Sequence, residues 1–309
     1  MDGKKLTGKR QAVSLVLGSG GARGLAHIGV ITWLEKHGFE IQSISGCSMG
    51  ALIGGIYAAG QLDAYSTWVR ALEKMDVIRL LDISFRRHSL FKGERIIDTL
   101  KELIGDHTID ELPISYTAVA TDLHNQKEIW IRHGPLFDAI RASIAIPTIF
   151  SPHHYMGKLL FDGSLVNPVP IAPTLNDKTD ITIAVNLNGA AQTEPMITEI
   201  PPEQPSDKKK KYHQRIVEFV AGMGSKQEPG TVYDMSFFDV ISKSMEIMQS
   251  RITRQHLAVY SPDVTISIPI NACSSFEFYR ADEMMELGWE KAETQLRNFV
   301  GKPLENRKQ

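Results

Sequence analysis

The chain has 309 residues, a formal net charge of −2, 42% apolar and 23% charged residues. That is enough for one large domain or two modest ones, and the near-neutral balance excludes a dedicated nucleic-acid binder, which would carry a basic excess. The two cysteines, Cys47 and Cys273, lie far apart without metal-ligand neighbours, so neither a disulfide framework nor a zinc cluster is expected, and a reducing cytoplasmic compartment is.

Residues 1–11 are a polar, basic lead-in. With the apolar run 12–17 they imitate a secretory leader, but that run reaches Gly18 after six residues and soon meets Arg23, too short for a leader's apolar core. Residues 12–17 read as a central parallel strand. The strand empties into Gly18-Ser19-Gly20-Gly21-Ala22-Arg23-Gly24, and an amphipathic helix over 25–37 stops at Gly38. A second strand, 41–45, runs into Gly46-Cys47-Ser48-Met49-Gly50 and a helix reaching about Ala59. No residue from 41 to 62 is charged, which mimics a membrane span, yet the stretch holds several serines, two glutamines and five glycines. A strand–turn–helix buried in a core explains the missing charge better, so no spanning segment is expected.

A helix over 63–75 with Asp63 as its N-cap follows, then a segment without clear pattern over 76–92 and a helical periodicity over 93–104. Residues 114–120 and 127–131 read as two strands of a hairpin around the polar turn 122–126. A helix spans 135–144, and a short strand after the turn at Gly157 ends at Asp162-Gly163-Ser164. Residues 181–187 are a further buried strand. The stretch 191–235, rich in proline and holding Lys208 to Lys211, reads as a flexible insertion; its lysines are a solvated face or, alternatively, a contact for anionic lipid head groups. An amphipathic helix from 236 to 255, a strand at 264–268 and a helix over 282–300 then complete the domain begun at 12–190. Strand and helix alternate, so the fold class is α/β, with the site at the carboxyl ends of the strands.

Two motifs carry chemistry. Gly46-Cys47-Ser48-Met49-Gly50 has the form of a nucleophile elbow: a serine on a tight strand-to-helix turn, flanked by glycines where the backbone is strained and neighbouring segments come close. The glycine-rich loop does not fit a dinucleotide fingerprint, because Arg23 stands where the third glycine belongs, nor a Walker loop, because Leu25 follows Gly24. Its successive N–H groups at Gly20, Gly21 and Ala22 form instead a nest of donors able to hold an oxyanion beside the elbow. The base for Ser48 stays open on the residues alone: His27 and the loop residues His153 and His154 read as packing or surface histidines, and Asp162-Gly163 is a common turn dipeptide.

Taken in order, Gly20-Gly21-Ala22-Arg23-Gly24, Gly46-Cys47-Ser48-Met49-Gly50 and Asp162-Gly163 resemble the patatin-like phospholipase family, in its bacterial form. The blocks Arg141-Ala142-Ser143-Ile144-Ala145-Ile146-Pro147 and Asn167-Pro168-Val169-Pro170 are similar to that family too, as is the region from Phe276 to Trp289. Ser19 and Ser164 depart from it, standing where glycine or alanine is usual. The resemblance implies a three-layer α/β/α sandwich with a mainly parallel sheet, a Ser48–Asp162 catalytic dyad without histidine, and an oxyanion hole at Gly20, Gly21 and Ala22. It implies hydrolysis of phospholipid or lysophospholipid acyl esters with no metal or organic cofactor. The alternatives are a soluble esterase or thioesterase with the same dyad, or a non-catalytic scaffold. Arg23 is expected to order the loop internally or to meet a head-group phosphate. A lipid ester is the expected partner, with transient contact at the inner membrane surface. Cys47 is taken as buried filler.

Overall fold

The computed structural model describes residues 10–80, 93–147, 149–192 and 237–300. The chain divides into a compact unit of residues 1–192 and 245–309 and a second unit, Thr193–Ser244, of which only residues 237–244 are described. The lead-in up to residue 9 and the lysines at 208–211 lie outside the described residues.

One eight-stranded sheet forms the centre. Its strands are β1 (Gln11–Leu17), β2 (Phe39–Cys47), β3 (Ser115–Asp122), β4 (Lys127–Ile131), β5 (His153–Tyr155), β6 (Lys158–Asp162), β7 (Ile181–Gly189) and β8 (Val264–Pro269). They lie in the order β5-β6-β3-β2-β1-β7-β8, with β4 also paired to β3. The run β3-β2-β1-β7-β8 is parallel, while β4 and β6 pair antiparallel with β3, and β5 antiparallel with β6. Six of the seven β1 residues are buried, as expected of a strand covered on both faces by helices. The arrangement is the three-layer α/β/α sandwich.

The helices are α1 (Ala26–Lys36), α2 (Met49–Ala58), α3 (Leu62–Arg70), α4 (Lys74–Leu80), α5 (Glu94–Ile104), α6 (Leu136–Ser143), α7 (Phe237–Tyr260) and α8 (Ala281–Leu296). Helices α1 and α8 cross closely: a Cβ on Gly29 would strike the backbone of Met285, and one on Gly288 the backbone of Ala26. Trp33 on α1 fixes the crossing by donating its indole N–H to Glu293 at 2.7 Å.

Two expectations change. The helix read over 63–75 is two helices, and Gln61, not Asp63, caps the first. Asp63 sits inside the first turn, where a carboxylate also complements the helix dipole. The chain restarts at Lys74 because the Asp76 carboxylate reaches back to accept the Glu73 N–H at 3.1 Å, half of a capping box. His153 and His154, read as loop, form β5 and pair with β6 across the Gly157 turn. Among the described residues no helix is long and apolar enough to cross a membrane; the uncharged run from 41 to 62 is β2 and α2 at the sheet centre.

Candidate active site

Sheet register brings Ser48 and Asp162 together. Strand β3 has two sides: Val119 pairs with Trp130 of β4 on one and Cys47 of β2 on the other. Strand β2 ends at Cys47, and one residue further along β3, Ala120 pairs with Asp162 of β6 while still paired with β4. Strand β6 therefore enters the lane that β2 vacates, head to head with it. The last residue of β6 thus faces the turn that follows β2.

Ser48 occupies that turn at φ 54°, a conformation costly for a side chain larger than hydrogen. The elbow closes because Gly46 and Gly50 lack side chains: a Cβ on Gly46 would meet the Gly50 carbonyl, and one on Gly50 the Leu17 carbonyl. Both Ser48 and Asp162 are buried, at 3% and 1% exposure. The last residue of α6 and the turn after it grip both backbones. Ser143 Oγ accepts the Ser48 N–H at 2.9 Å and donates to Val119 O at 2.6 Å, while Ala145 O accepts the Asp162 N–H at 3.0 Å. These roles of Ser143 and Ala145 were missed in the sequence, although their block was noticed.

The two oxygens of Asp162 differ. Oδ1 accepts the Ser164 N–H at 2.8 Å and faces the Cys47 thiol at 3.8 Å. Oδ2 is buried with no aligned donor. The Ser48 side chain is close enough to favour the ionised carboxylate, yet its hydroxyl is not aligned as a donor to Oδ2; such bonds commonly tighten only when substrate is bound. Burial pushes the Asp162 carboxyl above its ordinary range, against the opposing contacts of Ser48, Ser164 and Cys47. Cys47 is thus more than filler: its thiol, pushed well above the usual range first by burial and then by Asp162, stays protonated and aims at the carboxylate.

The glycine loop is a 3-10 turn, Gly21–Leu25, at the end of β1 and against the elbow, with Gly24 packed on Met49. Gly21 has φ +58° and lies against the Ser275 backbone. Ala22 must be removed from the expected donors, because its N–H is already given to Ser275 O at 2.9 Å. The N–H groups of Gly20 and Gly21 have no such acceptor among the described residues. Arg23 turns inward: Nε donates to Leu187 O at 3.1 Å, Nη1 to Cys273 O at 3.2 Å, and Nη2 lies 3.7 Å from Glu246.

None of the three candidate histidines bonds to Ser48 or Asp162. His27 Nε2 donates to Gly18 O at 2.8 Å, His153 faces Asp138 at 3.6 Å, and His154 is exposed. A cavity of about 460 Å³ lined by Thr117, Trp130, Arg132, Asp177 and Tyr260 includes neither Ser48 nor Asp162.

A mainly parallel sheet bearing a serine on a strained strand-to-helix turn defines an ester hydrolase of the α/β class. A family model described as Patatin-like phospholipase matches residues 15–175. An NTE family protein of Mycobacterium tuberculosis is 38% identical over 320 aligned positions, covering 89% of each chain. The chain belongs to the patatin-like phospholipase family, whose members are lipid-ester hydrolases. It is also similar to the lysophospholipase NTE1 of Yarrowia lipolytica, 31% identical over 60% of this chain and 13% of that one. The neuropathy target esterase of Drosophila grimshawi is 33% identical over 53% of this chain and 12% of its own length. VipD from Legionella pneumophila aligns over 94% of this chain and 67% of its own, at 13% identity and a TM-score of 0.47.

Proposed function

We propose that this protein hydrolyses fatty-acyl esters of phospholipids or lysophospholipids through a Ser48–Asp162 dyad. The observation that carries the reading is the buried, unpartnered Asp162 Oδ2 beside a serine held in elbow geometry. The lysophospholipase named among the relatives supports a lysolipid as substrate.

Ser48 Oγ attacks the ester carbonyl as its proton passes to Asp162 Oδ2. The N–H groups of Gly20 and Gly21 hold the oxyanion. Collapse of the intermediate breaks the ester bond, and the departing lipid alcohol takes the proton from Asp162, leaving an acyl-serine. Water gives a proton to Asp162 and attacks the acyl carbon; the fatty acid leaves and Ser48 regains its proton. Two features make a carboxylate serve as the base: burial raises its proton affinity, and the donors on Oδ1 turn Oδ2 toward Ser48. Transient contact with an anionic membrane surface would bring the lipid to the site.

A fluorophosphonate probe tests the nucleophile and a lipid panel with mass-spectrometric detection tests the substrate. Wild type should label and release fatty acid from long-chain lysophospholipids. Ser48→Ala should lose both, and Asp162→Asn should lose turnover while keeping its fold. Full turnover in Asp162→Asn would overturn the dyad, and preference for short water-soluble esters would overturn the lipid assignment.

A further inference from the structure

Helix α7 has two unlike faces over residues 245–260. The inner one carries Glu246, Gln249, Thr253 and His256 at three- and four-residue steps. Glu246 lies 3.7 Å from Arg23 of the glycine loop, Gln249 Nε2 donates to Ser164 Oγ at 2.9 Å, and His256 Nδ1 meets Asn167 Oδ1 at 3.0 Å. The helix therefore rests on the glycine loop and on the turn that follows Asp162. On the outer face Ile247, Arg251, Arg254 and Ala258 follow one another at the same steps, with Met248 and Val259 beside them. All six are exposed, Ile247 at 65%, Met248 at 55% and Val259 at 74%. Charge is sorted between the faces: both arginines stand outward, while Glu246, the one acid of residues 245–260, turns in to Arg23.

A further exposed apolar side chain belongs to the same neighbourhood. Phe276, 43% exposed, follows Ser275, whose carbonyl accepts the Ala22 N–H at 2.9 Å. Arg23 joins the two segments, donating to Cys273 O at 3.2 Å while it faces Glu246. Large apolar side chains held in water beside a site mark a surface that meets something. The two arginines say what: their stems can lie along Ile247 and Met248 while their heads reach anionic phosphates. We propose that the outer face of α7, together with Phe276, docks the protein on an anionic phospholipid bilayer. Ile247, Met248 and Phe276 enter the acyl boundary, and Arg251 and Arg254 meet the lipid phosphates. A helix is about 10 Å across, so a lipid surface on the outer face lies about that far from the glycine loop and the Asp162 turn. The inference rests on the reading of the substrate as a lipid ester, and it names the surface that brings the site to it.

Co-sedimentation of the full chain with vesicles of phosphatidylcholine, alone or mixed with phosphatidylglycerol, tests the surface. Wild type should bind the mixed vesicles at least about tenfold more tightly than the neutral ones. Arg251→Gln combined with Arg254→Gln should erase that difference. Ile247→Ser combined with Met248→Ser should weaken binding to both compositions by at least about tenfold. Phe276→Ser, on a separate segment, should weaken it as well, so the result does not depend on α7 alone. The ratio of turnover on vesicle-held phospholipid to turnover on monomeric lysophospholipid should fall in step with binding. Wild type that sediments with neither vesicle, or variants that bind as wild type does, would overturn the proposal. So would variants that break up a self-associated chain yet still bind vesicles, which would give the face to a second copy. Sedimentation needs no turnover, so a wild type that hydrolysed no lipid would count against the acyl-ester reading alone.

Discussion

The donor nest can be tested by adding a single methyl group at Gly21 and comparing it with a matched control. Gly21 and Gly38 both have positive φ, +58° and +82°, so alanine at either pays the left-handed backbone cost of about 1–2 kcal/mol. They differ in surroundings. A Cβ on Gly38 meets nothing within 4 Å, whereas one on Gly21 stands 2.6 Å from Ser275 O and 2.9 Å from Ser275 Cα. Neither obstacle is a flexible side-chain end, and Ser275 O is pinned by the Ala22 N–H at 2.9 Å. The loop has to shift, and the Gly21 N–H moves with it. Loss of one oxyanion donor costs about 2.7–4 kcal/mol of transition-state stabilisation, a hundredfold to thousandfold fall in turnover. Turnover of a lysophospholipid and thermal melting should be measured on both variants. Gly38→Ala should melt lower and turn over like wild type; Gly21→Ala should melt at or below it and lose at least about a hundredfold. A Gly21→Ala enzyme within about fivefold of wild type would show that this N–H does not hold the oxyanion.

The buried Asp162 carboxylate should be a liability for stability. Asp162 has a folded pKa raised by burial, so its favourable contribution is whole below the unfolded value and is lost as pH rises through the folded one. Asp162→Asn should accordingly raise the melting temperature at neutral pH, with the gain shrinking as pH falls; an unchanged or lower melting temperature would contradict the burial cost. His27 behaves in the opposite way. Fully buried with Nδ1 unpartnered, it is pushed by desolvation from 6.5 to about 4. Its stabilising contribution is whole above about pH 6.5 and is lost as pH falls towards about 4, an amount on the order of 3 kcal/mol. Gln at this position can still donate to Gly18 O, so urea unfolding of His27→Gln should lack that part of the acid loss. An identical pH dependence in wild type and variant would refute it.

The elements that were legible in the sequence are those whose signals are local. Glycine spacing announced the elbow and the loop at the end of β1, and apolar runs announced the buried parallel strands. The glycines at 46 and 50 were read as sites of close approach, and the Gly50 and Leu17 carbonyls occupy the space their side chains would need. What stayed hidden depends on partners distant in sequence. Ala22 looked like its neighbours until Ser275, far along the chain, took its N–H. Cys47 had no visible task because its partner is Asp162 on another strand. Gln249 lay in an ordinary amphipathic helix, and its hydrogen bond to Ser164 Oγ at 2.9 Å could not be inferred from a pattern dominated by methionine and isoleucine. The break between α3 and α4 had a local signal, Asp76 three residues after Glu73, but the apolar period continued through it and concealed it.

The head-to-head meeting of β2 and β6 explains how a serine could be served without histidine. A triad places an imidazole between hydroxyl and carboxylate, so the two may sit on separate loops and still communicate. A dyad has no spacer and needs the carboxylate in direct reach of the hydroxyl. Here both residues take their positions from one strand: Cys47 registers on Val119 and Asp162 on Ala120 of β3. Their separation is therefore set by a single step along a buried strand rather than by loop conformation. Thr121 strengthens the register by donating its hydroxyl to Asp162 O at 2.9 Å, and Ser143 and Ala145 repeat it from the helical layer. The same geometry buries the carboxylate and raises its proton affinity, which is what the proposed role as base requires of an intrinsically weak one. Proximity and basicity thus follow from one structural cause, the antiparallel entry of β6 into the lane where β2 ends.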